Sequence, residues 1–232
     1  MDLLARVLEG GRDLLARVDA ALVTGGAPPD HPIWPVARRV GALPGDAAEA
    51  LAALRPDPLL GCATRLRSLV ETYAHQRATL IAVTQAGVWD GAGGEAFASQ
   101  VRAFAVHCGS DGPESLAGRL AETASYVEDV AAWMHEARRM LAGTLAAVLV
   151  SAEAVRLRAG NDKTAAAAAI GAQVLETVAA AHAAGHAVQE RWAGRLGEVA
   201  YRPPTEVPPA HGTTTRVTLQ ARRAGPTVDR AR

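Results

Sequence analysis

From Glu114 to about Ala159 the chain runs without a proline or strong breaker, and apolar residues return at steps of seven: Val127, Met134, Leu141, Val148 and Val155. Leu120, Ala124, Ala131, Leu145 and Ala152 fill the alternate seam. A sustained heptad describes a long helix packed along another helix. At 1.5 Å per residue the stretch predicts a rod of roughly 65–70 Å, too long to be buried without a partner rod. Gly160-Asn161-Asp162 is a sharp-turn signal, so the next segment, about Lys163 to Ala200, is expected to return antiparallel. That segment places Ala167, Val174, Ala181 and Val188 on one row, with Ile170, Val178, Trp192 and Val199 beside it. Its alanine-rich first half permits close helix contact.

The rest of the chain follows the same logic. Leu3, Leu4, Val7, Leu8, Leu14, Leu15, Val18 and Leu22 recur at three- and four-residue spacing, an amphipathic helix softened at Gly10-Gly11 and stopped at Gly25-Gly26. Pro32 and Pro35 predict an irregular stretch with Trp34 pinned against the bundle, and Asp46 is the expected cap of a short helix to about Leu54. Asp57-Pro58 is a helix-start signal. Leu59, Leu66, Val70, Tyr73, Leu80 and Val83 carry that helix to about Ala86, and another from near Ala92 carries Phe97, Val101 and Phe104. Hydrophobic residues make up 49% of the chain but aromatics only 4%, so the core is built from Ala, Leu and Val, which suits close-packed helices over a sandwich. The expectation is an all-α, elongated bundle of long antiparallel hairpins over residues 1–200. Residues 201–232, with Pro203, Pro204, Pro208 and Pro209, are expected to form a flexible tail, in which Thr215 to Gln220 has strand character but no partner.

The formal charge is zero, 24 basic against 24 acidic side chains, which removes the basis for a nucleic-acid partner. Lys163 is the only lysine, and the Ala, Gly, Pro and Arg bias fits GC-rich, actinobacterial codon usage. Cys62 and Cys108 are too few for a disulfide framework and are read as unpaired. The best apolar run, Met140 to Ala152, lies between Arg139 and Glu153 and falls short of the ~20 residues of a membrane span. The amino terminus lacks the features of a cleavable signal peptide.

The turn between the two middle helices reads Trp89-Asp90-Gly91, with Phe97 eight residues after the tryptophan and Ala92, Ala96 and Ala98 around it. Gly91 lets the chain reverse, Trp89 can lie over the hairpin end, and Phe97 stands two turns into the next helix. Here the sequence resembles the WXG superfamily, the helical-hairpin substrates of type VII secretion, directly over about residues 57–108. The resemblance implies Trp89, Gly91 and Phe97 as interaction residues. It implies a helical partner, either a second copy or a small W-x-G protein, together with the secretion machinery. It also implies export to the cell surface or medium without a cleavable signal, or else a cytoplasmic accessory role. One feature departs from the family. Its export signal, a tyrosine followed four residues later by an acid, is missing: Tyr73 is followed at that offset by Arg77, Tyr126 by Val130 and Tyr201 by Thr205.

Residue patterns that suggest chemistry have plainer readings. His182, His186 and Glu190 share a helix face, but a metalloprotease helix needs Glu beside the first histidine, and position 183 is Ala. Gly91-Ala92-Gly93-Gly94 lacks the strand and the Lys-Ser/Thr of a phosphate loop. Asp111, near His107 and Ser110, is expected to cap the following helix, and Glu128-Asp129 and Arg138-Arg139 to lie on a solvated face. No catalytic residue, cofactor or metal is expected. The function implied is a non-enzymatic type VII substrate or trafficking domain, with an intracellular adaptor or chaperone, or the trafficking part of a larger toxin, as alternatives.

Overall fold

The computed structural model describes residues 3–85, 91–109, 114–160 and 162–200. Within them lie helices and no strand: α1 Leu3–Gly25, α2 Ile33–Val40, α3 Pro44–Ala52, α4 Pro56–Gln85, α5 Ala92–His107, α6 Leu116–Leu149, α7 Ala152–Ala159 and α8 Lys163–Glu198. The protein is an all-α bundle. The tail, residues 201–232, lies outside the described residues, as do Trp89 and Asp111.

The long rods pair as their patterning dictates. Ala167, Val174, Ala181 and Val188 of α8 are all buried, as are Ile170, Val178 and Trp192. They face Ala124, Ala131, Leu141, Leu145 and Val148 of α6. Thr144 meets Thr177 at 2.8 Å and the Trp133 indole N–H donates to the Ala181 carbonyl at 2.8 Å, so numbers rise on one helix as they fall on the other. The heptad helix is nevertheless shorter than expected. It breaks after Leu149, and α6 and α7 meet at a bend of 57°. Ser151 accounts for the break: its hydroxyl accepts from the Ala154 N–H at 3.1 Å, capping a new helix. The bend turns the last heptad positions away, leaving Val155 61% exposed, while Ala154 and Leu157 enter the core instead.

Helices α1, α2 and α3 cover the α7 end of this pair. Gly10-Gly11 does not interrupt α1. Gly11 is buried, and a Cβ there would stand 3.8 Å from the Leu149 side chain. The stretch holding Pro32 and Pro35 is helical from Ile33, because Pro35 falls in the first turn of α2, where backbone N–H groups have no intrahelical acceptor. Trp34 is not pinned in the bundle; it is exposed, and its indole N–H donates to the Pro28 carbonyl at 2.9 Å. Asp46 does not cap α3 either. Leu43 holds the cap position and Pro44 the first. The carboxylate that reaches the first turn is Asp19 of α1, which accepts from the Gly45 N–H at 3.1 and 3.2 Å. Burial raises the Asp19 pKa above the ordinary carboxylate range, with the Gly45 hydrogen bond opposing. The following helix starts slightly early, at Pro56, with Asp57 in its first turn.

By length and composition α8 could cross a membrane, although the run singled out by sequence was a different one. In the bundle, 61% of its most apolar window is buried against other helices.

Candidate functional site

Helices α4 and α5 form the hairpin that bears the W-x-G motif. Gly91 is the N-cap of α5 at φ 83°, ψ −173°, backbone that only glycine adopts readily, and its carbonyl accepts from the Glu95 N–H at 3.0 Å. The chain therefore needs a glycine at that position of the turn. Gly94, Val101 and Ala105 form the buried stripe of α5, whose main neighbour is α4. Phe97 and Phe104, the chain's two phenylalanines, stand seven residues apart on one flank of that stripe, 40% and 43% exposed.

The hairpin projects. The Arg67 Nε donates to Glu128 at 2.7 Å and Asp57 lies 3.9 Å from His135, so α4 runs antiparallel to α6. Because α6 begins at Leu116, twelve residues before Glu128, α4 outruns it about twelve residues past Arg67. The last turns of α4, to Gln85, continue beside α5. Leu69 and Val83 of α4 are likewise about half exposed, at 46% each. The Nε of Arg77, on the inward side of α4, is buried without a hydrogen-bond partner among the described residues. Val83 thus lies on the part of α4 that outruns α6, whereas Leu69 lies beside α6. Of the motif residues, Gly91 and Phe97 stand at the start of α5 and two turns into it, while Trp89 falls outside the described residues.

A second group of aromatic residues joins the distal ends of α6 and α8, and it was missed at the level of sequence. The Trp192 indole, 3% exposed, donates to Asp129 at 2.8 Å. The Arg195 guanidinium lies 4.1 Å above its ring, and Tyr126 meets it edge-on at 5.6 Å. Asp129 also accepts from Arg191 at 3.1 Å, so the expected solvated Glu128-Asp129 face is a pair of interhelical links, Glu128 to α4 and Asp129 to α8. Trp133 lies on Gly185, where a Cβ would come within 2.8 Å of the ring. The available signals were aromatic residues seven apart in an aromatic-poor chain and a glycine in the alanine row opposite them.

The remaining candidates stay apart. His182 and His186 are exposed on α8, beside a groove lined by Tyr126, Val130 and Trp133, and no group of three metal-capable side chains assembles among the described residues. The cap of α6 is Ser115, whose hydroxyl accepts from the Gly118 N–H at 3.0 Å. Arg119, buried in the first turn, donates to the Ala200 carbonyl at 3.2 Å and to Glu114, pinning the end of α8. Cys62 and Cys108 form no disulfide, and burial raises the Cys108 thiol pKa. Compared with models of protein families, curated proteins and solved structures, the chain matches none.

Proposed function

We propose that the protein is a non-enzymatic substrate or trafficking domain of type VII secretion, working by association of its α4–α5 hairpin with a helical partner. The observation that carries this reading is the projecting hairpin, with a glycine-only backbone conformation at Gly91 and both phenylalanines half exposed along one flank of α5. Half-buried aromatic residues on a rigid helix supply contact area at low conformational cost. The resemblance to the WXG superfamily supplies the pathway and the partner type, a second copy or a small W-x-G protein.

The test is secretion in a host with the pathway, read beside the melting temperature of the same proteins. The full chain is expected in the medium, dependent on the pathway's membrane ATPase. Trp89→Ala and Phe97→Ala are expected to abolish export while helicity and melting temperature stay close to those of the parent. Export that survives both substitutions sinks the motif assignment. The missing tyrosine–acid signal favours one second reading, an adaptor that remains inside the cell. In that case Phe97→Ala loses a co-expressed small W-x-G partner and the chain is absent from the medium.

A further inference from the structure

At the opposite end of the molecule, the end of α1, the end of α7 and the start of α8 enclose a cleft of ≈ 440 Å³. Its charged lining is Arg17, Arg158 and Lys163, its hydroxyls are Thr24 and Thr164, and no carboxylate lines it among the described residues. Lys163 is the chain's one lysine. Arg17 holds Asp13 through Nε at 2.8 Å, which leaves its other N–H donors, whereas neither Arg158 nor Lys163 has a carboxylate partner among the described residues. In a chain of zero formal charge, three cations from three helices around one concavity are a local excess.

The walls are closely built. A Cβ at Gly25 would lie 2.9 Å from the Thr164 hydroxyl, so glycine at the end of α1 lets the two helices meet there. Gly160 is left-handed at φ 84°, and the Lys163 stem passes over it. Lys163 and Thr164 open α8, so the positive end of that helix faces the same cleft. Separated cations with hydroxyl donors between them suit a group offering several oxygens in different directions. A phosphate does so better than a carboxylate, which one guanidinium fork satisfies.

We propose that this cleft binds a phosphate group, as a phosphate monoester or pyrophosphate, between Arg17, Arg158 and Lys163. The inference is independent of the hairpin and of the secretion reading. A competing role for the cations is to neutralise the carbonyl ends of α1 and α7. That role calls for no ligand and yields no saturable binding.

Inorganic pyrophosphate titrated into the full chain is expected to bind at one saturable site, weakening as salt rises. Lys163 allows a direct reading, because mass spectrometry of acetylated protein can follow this one ε-amino group. Saturating pyrophosphate is expected to slow its acetylation at least about tenfold, the scale of a lost charge-assisted contact. Lys163→Gln and Arg158→Gln are each expected to weaken binding by about tenfold or more with little change in melting temperature. Arg12→Gln, which removes the same charge from α1 at a residue paired with Glu49 outside the cleft, should bind like the parent. A parallel arm uses vesicles of phosphatidylcholine with and without phosphatidic acid; binding lost in the same two variants supports the site and assigns the phosphate to a lipid headgroup. Absence of saturable binding in both arms overturns the proposal. So does an equal loss in Arg12→Gln, or a fall in melting temperature in the cleft variants without change in affinity.

Discussion

The two ends of the bundle are held together differently. At the α7 end, residues of α1, α2, α3, α6, α7 and α8 make both continuous apolar cores, and packing is tight enough that a Cβ on Gly171 would stand 3.0 Å from Ile33 and Pro44. At the hairpin end, α4 buries only Pro56 and Ala63 in a helix of 30 residues, and neither α4 nor α5 contributes to those cores. The polar links there are Arg67 to Glu128 between α4 and α6 and, between α6 and the end of α8, Trp192 and Arg191 to Asp129, Arg195 to Glu122, and Arg119 to the Ala200 carbonyl; they stand beside a half-buried apolar stripe of α4, Leu59, Leu66, Val70 and Tyr73. Dry packing fixes one arrangement. Polar links at a surface hold helices more weakly than such packing does. One end of the molecule is packed dry and the other is left half exposed.

The contrast breaks most easily in the core. Leu141→Ala removes a fully buried side chain from the tight end and is expected to cost about 2–5 kcal/mol of unfolding free energy. Phe104→Ala, at 43% exposure, removes a larger side chain but is expected to cost no more than about half the 1.5–3 kcal/mol of a fully buried one. Denaturant melts of the two variants compare the ends directly. Equal losses would mean that α5 is packed as firmly as the core.

How legible each end was follows from the same physics. Where Ala and Leu interdigitate, period alone identifies the buried face, and the row Ala167, Val174, Ala181 and Val188 is buried throughout. The failures at this end are local and come from hydrogen bonds that periodicity does not carry. Ser151 ends the heptad helix, Pro35 enters a first turn, and Asp19 reaches α3 from another helix. At the hairpin end, sequence placed the helices and a glycine at the reversal, Gly91, but not the projection, which depends on interhelical register. The Trp192–Asp129 link was illegible because a carboxylate beside another, Glu128-Asp129, reads as solvated until the facing helix is known. The basic cleft was illegible for a similar reason: Arg158 and Lys163 flank one turn, but Arg17 comes to them from a distant part of the sequence.

Two substitutions sharpen the hairpin end. Asp129→Ala leaves the Trp192 indole N–H buried without an acceptor, an expected loss of about 1–3 kcal/mol, visible as a red shift in tryptophan fluorescence below the main melt. If the melt is unchanged, water has replaced the acceptor and the joint is wetter than its burial implies. Gly91→Val forces a branched side chain into backbone near φ 83°, ψ −173°, at a local cost of about 1–3 kcal/mol. Amide exchange is expected to quicken in α5 and the end of α4 and stay unchanged in α1 and the first half of α8. Quickening that spreads to α8 would show that the hairpin and core unfold as one unit.

The smallest effect concerns the link between α4 and the body. Arg67 and Glu128 are 48% and 39% exposed, so their pair is worth only about 0.2–1 kcal/mol. Its pH dependence has a definite sign. The Arg67 hydrogen bond holds the Glu128 pKa below its ordinary value of 4.5. The unfolded chain therefore takes up a proton at higher pH than the folded one. The contribution is complete above the ordinary glutamate pKa and disappears as pH falls from there through the lowered folded value. Glu128→Gln should thus lower stability slightly at pH 7, and parent and variant should converge in acid or at high salt. Glu136 offers the control, since Arg139 lowers its pKa in the same way but from within α6. Glu136→Gln should leave amide exchange of α4 unchanged, whereas Glu128→Gln should quicken it at neutral pH alone. If both variants behave alike, the charge of the pair matters only to α6, and α4 is held to the bundle by its half-buried leucines instead.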